Sequence, residues 1–288
     1  MTTGRSLMRI AVTGSSGLLG SHVAAALAAA GYEVRGIDRL PPPPGATWQH
    51  DSADACRPDA LQPLLRGVEA LVHAAAIPRP TGHEPTEVLE TNTMASFAAV
   101  EAAIAVGARR LVYASSFSVY GWPFAQRPPT PAYLPIDEAH PIGAQDAYAL
   151  SKWLGEEIVE AGVRRAGLSA VSLRMPWLHT PASFVAAIPP RLASGGAHLD
   201  LWAYLDVRDA ADAFVAAVTV PLAGHHRILL SAADSYAPEP TPVLVAAAFP
   251  GCPLRRPLDG HAALLDSTRA LDLLRWRPRR SWRDDERG

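Results

Sequence analysis

Cysteine is almost missing from this 288-residue chain. Cys56 and Cys252 lie far apart and fit no metal or redox spacing, so both read as ordinary thiols in a reducing, cytoplasmic setting. The ten histidines show no ligand pairing; the adjacent His225 and His226 read as loop, and no metal is expected. Charge is also sparse: Asp, Glu, Lys and Arg make up 19% of the residues, the formal net charge is −2, and the two signs are interspersed. The absence of a basic stripe argues against nucleic acid as a partner, and no acidic tail stands out. No apolar run is long enough to span a bilayer, and the polar lead over residues 1–7 is not followed by an apolar stretch with a cleavage site. A protein without membrane contact is expected. There is no internal repeat. With 49% apolar residues a packed core is expected rather than disorder, and the length suits one large α/β unit or a domain with a smaller partner.

What the chain does have is alternation. Residues 8–12 are a short apolar, β-compatible run, a glycine-rich turn follows, and residues 21–30 read as a helix stopped by Gly31. Residues 32–38 read as the next strand. This succession predicts a parallel sheet with crossover helices. It continues with a strand over 71–76, a helix over 87–106, a strand over 110–114, a helix over 147–165 and a strand over 170–174. Two proline-rich stretches interrupt it. Residues 41–44 read as a surface loop. Residues 122–141 hold six prolines and several aromatics, and a long loop beside a site is more often a lid or substrate wall than a linker. Beyond Pro176 strands become hard to assign, which suggests a smaller part closing over the sheet. Residues 201–220 read as a strand and helix rejoining the first unit, and 266–276 as a short helix.

Gly14, Gly17 and Gly20 stand at three-residue spacing between a strand and a helix. Glycine there permits a tight turn and a close approach of backbone to a pyrophosphate, and the start of the helix, with Leu18 and Leu19, offers unpaired N–H groups to phosphate. Ser16 lies within the turn. Asp38 follows Gly20 by 18 residues, at the end of the next strand, where a carboxylate accepts hydrogen bonds from ribose hydroxyls and repels a 2′-phosphate. This favours NAD over NADP, although Arg39 next door is a phosphate-binding type. Asp51 and Ser52 are candidates for the adenine, with a plain loop carboxylate as the other reading of Asp51. Ala74, Ala75 and Ala76 end a strand with side chains small enough to leave room for the cofactor.

Tyr148 and Lys152 are four apart on a predicted helix and share one face. A nearby ammonium favours the phenolate over the phenol, so the pair is suited to passing a proton to or from a substrate oxygen while a hydride moves. Ser115 and Ser116 come directly after a strand, at the edge where open α/β sheets bind ligands, and a hydroxyl there positions the reacting oxygen.

The segments 12–20 (Val-Thr-Gly-Ser-Ser-Gly-Leu-Leu-Gly), 111–121 (Leu-Val-Tyr-Ala-Ser-Ser-Phe-Ser-Val-Tyr-Gly) and 148–152 (Tyr-Ala-Leu-Ser-Lys) together resemble the extended short-chain dehydrogenase/reductase family, the NAD-dependent sugar epimerases, dehydratases and related reductases. The resemblance extends to 90–93, 173–176, 204–209 and 273–278. It implies an α/β fold: a Rossmann-type doubly wound parallel sheet with a small C-terminal substrate-binding part. Residues 1–175 would form the NAD-binding domain, with 201–231 rejoining it, and 176–200 and 232–288 the substrate-binding part. It implies Ser116 as the catalytic Ser/Thr, Tyr148 as the proton-transfer residue and Lys152 as its partner. Asn92 matches a helix asparagine that supports the cofactor site, and Arg174 a strand-end arginine near cofactor and substrate; a helix-bending polar residue and a surface ion pair are the bland alternatives. A homodimer is implied by the resemblance only.

The chain also departs from the family. Its sugar dehydratases follow the catalytic Ser/Thr with Asp-Glu, whereas Phe117 and Ser118 follow Ser116 here, so dehydration is not expected. Only about 30 residues separate Arg174 from the segment at 204–207, with Arg191 the main cation between them. A short segment suggests a smaller ligand than a whole nucleotide-sugar, such as a free sugar acid, with Phe117, Arg174 and Arg191 as substrate contacts and Trp122, Phe124 and Tyr133 as a wall. Three functions stay open: a dehydrogenase or ketoreductase acting on a sugar-like substrate, a nucleotide-sugar epimerase, and a dinucleotide-binding sensor without turnover.

Overall fold

The computed structural model describes residues 8–127 and 129–285, so the polar lead and the last residues of the expected substrate-binding part lie outside the described residues. Its centre is a seven-stranded sheet in which every pairing is parallel. In chain order the first elements are β1 (Arg9–Thr13), α1 (Leu18–Ala29), β2 (Glu33–Asp38), β3 (Gln49–Ser52), α2 (Pro58–Leu64), β4 (Ala70–His73), α3 (Pro85–Ala105) and β5 (Arg110–Ser116). Then come α4 (Ala147–Ala166), β6 (Ser169–Met175), β7 (Trp177–His179), α5 (Pro181–Ala193), β8 (Tyr204–Asp206), α6 (Val207–Thr219), β9 (His225–Leu229), α7 (Thr241–Ala248), α8 (Thr268–Leu274) and α9 (Trp282–Asp285). The sheet order is β3-β2-β1-β4-β5-β6-β9. The chain runs outward from β1 in one direction and from β4 in the other, so the strand order reverses between β1 and β4, and the crevice beyond their C-terminal ends is where such sheets bind ligands. The expected doubly wound sheet is borne out.

Helices cover both faces, which is why the inner strands read as unbroken apolar runs. On one face Val23, Ala24 and Leu27 of α1 pack with Ala210, Phe214 and Ala217 of α6 against Ile10, Val12 and Val112. Leu274 and Trp276 near the C-terminus join this layer, and the Trp276 indole donates to the Asp209 carbonyl at 2.9 Å. On the other face Leu61 of α2, Ala99 and Ala103 of α3 and Val159 of α4 cover Ala11, Leu71 and Leu111. A third cluster lies beyond the sheet edge. There Trp122, Leu134 and Ile136 of the proline-rich loop pack with Trp202, Tyr236, Phe249 and Leu264. Backbone bonds from Leu134 to the Pro253 carbonyl (2.9 Å) and from Ile136 to the Leu264 carbonyl (2.8 Å) stitch that loop to the C-terminal part. The neutral ring of His140 sits edge-on among Tyr120, Trp122 and Tyr133.

Several elements differ from the sequence expectation. The strand read over 71–76 stops at His73, and the Ala74 amide makes the last bond of the ladder to β1, to the Thr13 carbonyl at 3.1 Å. Gln49–Ser52 is a strand with no apolar alternation; it is a polar edge strand held to β2 by backbone pairing and by Arg35, which reaches Gln49 and Asp51. His225 and His226 begin β9 rather than a loop. α5 was not expected, since its interior carries Pro189 and Pro190. Its start is fixed by a capping box: Thr180 Oγ1 accepts from Ser183 N at 3.1 Å and Ser183 Oγ accepts from Thr180 N at 2.9 Å. Among the described residues no helix is long and apolar enough to cross a membrane.

The first turn of α1 lies so close to β1 that a methyl group on Gly20 would overlap the Gly14 carbonyl. Gly20→Ala is therefore expected to lower unfolding free energy by about 1–3 kcal/mol, the usual cost of overpacking. Urea denaturation checks this, and a change within the fitting error would refute it.

Candidate active site

The glycine turn opens the crevice at the strand-order reversal. Gly14 has φ +72°, and a Cβ on it would meet the Ala75 amide nitrogen at 2.6 Å. Glycine is therefore required both for the left-handed turn and for the approach of residues 74–75. Gly17 is different: it is exposed, caps α1 without a side-chain bond, and a Cβ on it would make only an ordinary contact with the Gly14 carbonyl oxygen at 3.4 Å. Its own amide is spent on the Gly14 carbonyl at 3.1 Å, and Leu18 and Leu19 present the first-turn amides of α1, which have no intrahelical partner. Asp38 lies beside the turn. Its Oδ2 accepts from Ser16 N and its Oδ1 from Leu40 N, both at 3.0 Å. The turn, helix start and carboxylate fit a dinucleotide. Arg39 is exposed next to Asp38. Ser52 pairs in register with Asp38, but Asp51 falls opposite Ile37, where its carboxylate is ion-paired with Arg35 at 3.3 Å. Asp51 is thus not gathered with Asp38.

Helix α4 carries two of the three candidate residues. Asp146 caps it, accepting from the Tyr148 and Ala149 amides at 2.9 and 3.0 Å. Tyr148 and Lys152 project from successive turns toward the end of β5. The Lys152 ammonium donates to the Ala114 carbonyl at 2.9 Å and lies 5.3 and 5.7 Å from the ring centres of Tyr113 and Tyr148. It is the single lysine of the chain. Ser116, the last residue of β5, accepts from Ser118 N at 3.1 Å, and its hydroxyl lies near enough to the Tyr148 phenol to favour the ionised form. Ser116, Tyr148 and Lys152 therefore come together as the motif spacing predicted.

Electrostatics qualify that picture. Burial pushes the Tyr148 phenol up to about 12, and Asp146 adds to the rise; the Ser116 hydroxyl opposes it without offsetting it. Burial also brings Lys152 down to about 8. The expected lowering of the tyrosine by the lysine is therefore not what sets the resting state: burial governs both groups, and the phenol is neutral beside Lys152.

Other assigned residues play different parts. Asn92 Oδ1 accepts from Ile77 N at 2.7 Å, and its Nδ2 donates to the Ile77 carbonyl and to Ser151 Oγ, both at 3.1 Å. Ser151 in turn donates to the Tyr148 carbonyl at 2.8 Å. Asn92 therefore ties the chain after Ala76 to the catalytic helix, and its amide is committed to that support rather than free to grip a cofactor. Phe117 is buried in the third apolar cluster, so its ring does not wall the site. Phe124 does, standing edge-on to the Tyr148 ring at 5.9 Å. Arg174 is neither a surface ion pair nor free for substrate: it is buried, with Nε and Nη2 on Glu156 at 2.8 and 2.6 Å and Nη1 on the Tyr120 hydroxyl at 2.8 Å. Arg191 donates to the buried Asp200 at 2.7 Å, which also accepts from Tyr236 at 2.5 Å, so it too is held within the fold. Glu156 and His73 were missed: His73 is a lone polar residue at the end of an apolar run, and Glu156 is one of three carboxylates on its helix, so neither carries a motif signal by itself.

The sequence model of the NAD dependent epimerase/dehydratase family matches residues 10–230. The chain belongs to that family. It is 30% identical to the UDP-glucose 4-epimerase of Mus musculus over 174 residues, covering 52% of this chain and 48% of that protein. It is 30% identical to the dTDP-4-dehydrorhamnose reductase of Mycobacterium tuberculosis (strain ATCC 25618 / H37Rv) over 198 residues, covering 67% and 58%. The matches thus span about half the length of these curated relatives. Solved structures share the fold: a UDP-glucose-4-epimerase from Stenotrophomonas maltophila with bound NAD and formylated UDP-arabinopyranose has a TM-score of 0.73 at 21% identity, over 96% of this chain and 95% of that one. MoeE5 in complex with UDP-glucuronic acid and NAD has a TM-score of 0.72 at 21% identity, with the same coverage.

His73 lies directly beneath the site, with Nδ1 2.8 Å from Thr13 Oγ1 and its ring stacked on Tyr113. Burial, with the charge of Lys152, brings it from 6.5 down to about 3. Between those values the unfolded chain binds the extra proton, so the stability from a neutral His73 is present above about pH 6.5 and lost as pH falls toward about 3. The loss at pH 4.5 is on the order of 3 kcal/mol. Unfolding free energy should therefore fall less between pH 7 and 4.5 in His73→Asn than in the unaltered protein; equal pH dependence would refute this.

Proposed function

We propose that this protein is an NAD-using oxidoreductase that works on a secondary alcohol or ketone of a sugar-like substrate, with Tyr148 as the proton-transfer group. The observation that carries the reading is the meeting of the Tyr148 and Ser116 hydroxyls above the C-terminal end of β5, with Lys152 one turn away and the glycine turn across the crevice. Gly14, Gly17 and the start of α1 would hold the pyrophosphate, and Asp38 the adenosine ribose, which favours NAD over NADP. NAD, when bound, supplies the acceptor and donor of hydride. Ser116 orients the reacting oxygen. Tyr148 takes the proton of the alcohol as its carbon is oxidised and returns one when a ketone is reduced, and Lys152 favours the phenolate through which it does so.

Epimerisation is the second reading, favoured by the named epimerases among the relatives. It uses the same proton and hydride steps twice, on opposite faces, with no net oxidation. Against a large nucleotide-sugar stands the segment between β6 and β8, whose only arginine, Arg191, is locked on Asp200. A small sugar or sugar acid packed against Phe124 is therefore the substrate proposed. The reading includes a cytoplasmic location, supported by the two free cysteines, and a homodimer, supported by Met94 and Phe97 exposed side by side on α3.

The purified protein should reduce NAD with at least one member of a panel of uronates, aldoses and UDP-sugars, followed by absorbance of the reduced cofactor. Tyr148→Phe should lower kcat by about 100-fold or more, as loss of a proton-transfer group does. Turnover without net NADH would select the epimerase, and activity undiminished in Tyr148→Phe would sink both readings. Phe124→Ala should raise KM for the sugar by about tenfold and leave that for NAD unchanged.

A further inference from the structure

Directly behind the catalytic group, one turn beyond Lys152 on the same face of α4, lies Glu156, with no exposure to solvent. Its Oε1 accepts from Ser115 Oγ at 2.6 Å and from Arg174 Nε at 2.8 Å. Its Oε2 accepts from Arg174 Nη2 at 2.6 Å and from Arg227 Nε at 3.0 Å. Burial alone would raise its pKa, but the bonds and charge of Arg174, with Ser115 and Arg227, outweigh burial and keep the carboxyl below its ordinary range. Arg174 passes the connection on to the Tyr120 hydroxyl at 2.8 Å, in the short 3₁₀ turn Phe117–Tyr120 that follows Ser116.

We infer that Glu156 is a positioning residue for the hydride chemistry: its carboxylate fixes the tip of β5 on both sides of Ser116. The reading rests on the function proposed above. Three successive turns of α4 latch onto three successive residues of β5, with Glu156 on Ser115, Lys152 on Ala114 and Tyr148 on Ser116. Through Arg174 the same carboxylate also holds Tyr120, downstream of Ser116. The Ser116–Tyr148 contact is therefore bracketed by anchored residues, and small displacements of reacting groups are costly in rate. A merely structural ion pair would also destabilise the fold when broken, because it would leave the buried Arg174 guanidinium without its carboxylate, whereas Arg227 would keep Glu157 at 2.8 Å. Rate per folded molecule separates the two roles.

The test uses three variants of the full chain: Glu156→Gln, Ser115→Ala and Tyr120→Phe. The last two each remove one hydroxyl and leave the ion pair intact. Both should fold, keep KM for NAD within about threefold, and lose about tenfold in kcat with whichever uronate, aldose or UDP-sugar the unaltered protein turns over. A second readout needs no substrate. Because Lys152 is the chain's single lysine, protein grown on lysine labelled with ¹³C at Cε gives one such signal, and its titration is that of Lys152. Its midpoint should move by about 0.3 units or more in Ser115→Ala and fall further in Glu156→Gln, where an anion is lost. Folded Ser115→Ala and Tyr120→Phe with kcat within about twofold of the unaltered protein would overturn the inference, whether or not Glu156→Gln folds. If the unaltered protein turns over no member of the panel, the functional reading fails, and an unmoved Lys152 midpoint in Ser115→Ala then overturns the positioning role as well.

Discussion

Helix α4 can lie as close to β5 and α3 as it does because two of its positions carry no side chain. A methyl group on Gly155 would overlap the Tyr113 hydroxyl, and one on Gly162 would stand 2.5 Å from a methyl of Val100. Everything in the crevice inherits this approach. It brings Lys152 within 2.9 Å of a strand carbonyl and Tyr148 onto Ser116. It also lets Ser151 reach Asn92, so that α3 and the chain after β4 are registered against the same helix. Rigid elements place side chains more accurately than loops do, and here each of the three groups that meet sits at the end of a strand or within a helix.

The same closeness sets the electrostatics. Removing water from around Tyr148, Lys152 and His73 disfavours charge on all three, so the neighbourhood beneath the crevice is poorer in charge than its list of titratable residues suggests. Glu156 is the exception. It stays ionised because two arginines and a serine surround it. The charged cluster therefore begins one helical turn beyond Lys152, on the same face of α4, and Ser115 joins it directly to the strand that ends in Ser116.

Much of this could be read from the sequence, for reasons that differ by feature. The glycine turn was legible because a left-handed turn and a backbone approach admit no other residue, and Asp38 because its distance from the turn is set by one helix and one strand. Tyr148 and Lys152 were legible as an i, i+4 pair whose spacing survives any tertiary detail. Arg174 and Arg191 were legible as cations but not in their roles. Whether an arginine faces a ligand or a buried carboxylate depends on Glu156 and Asp200, and neither pairing has a local signature. Phe124 keeps the expected place beside Tyr148 whereas Trp122 does not, for a similar reason: the direction of the proline-rich loop is decided by its packing on Trp202, Tyr236 and Leu264, more than 60 residues downstream. β3 escaped notice because a polar edge strand needs only its backbone.

The solitary lysine has a consequence for how this protein survives among its proposed ligands. Reducing sugars slowly condense with amines to give adducts that age and crosslink. Here the only side-chain amine is buried and turned toward a carbonyl, while every other basic side chain that is charged throughout neutral pH is a guanidinium, far less nucleophilic. A surface whose positive charge is carried by arginine offers a free aldose almost nothing to attack.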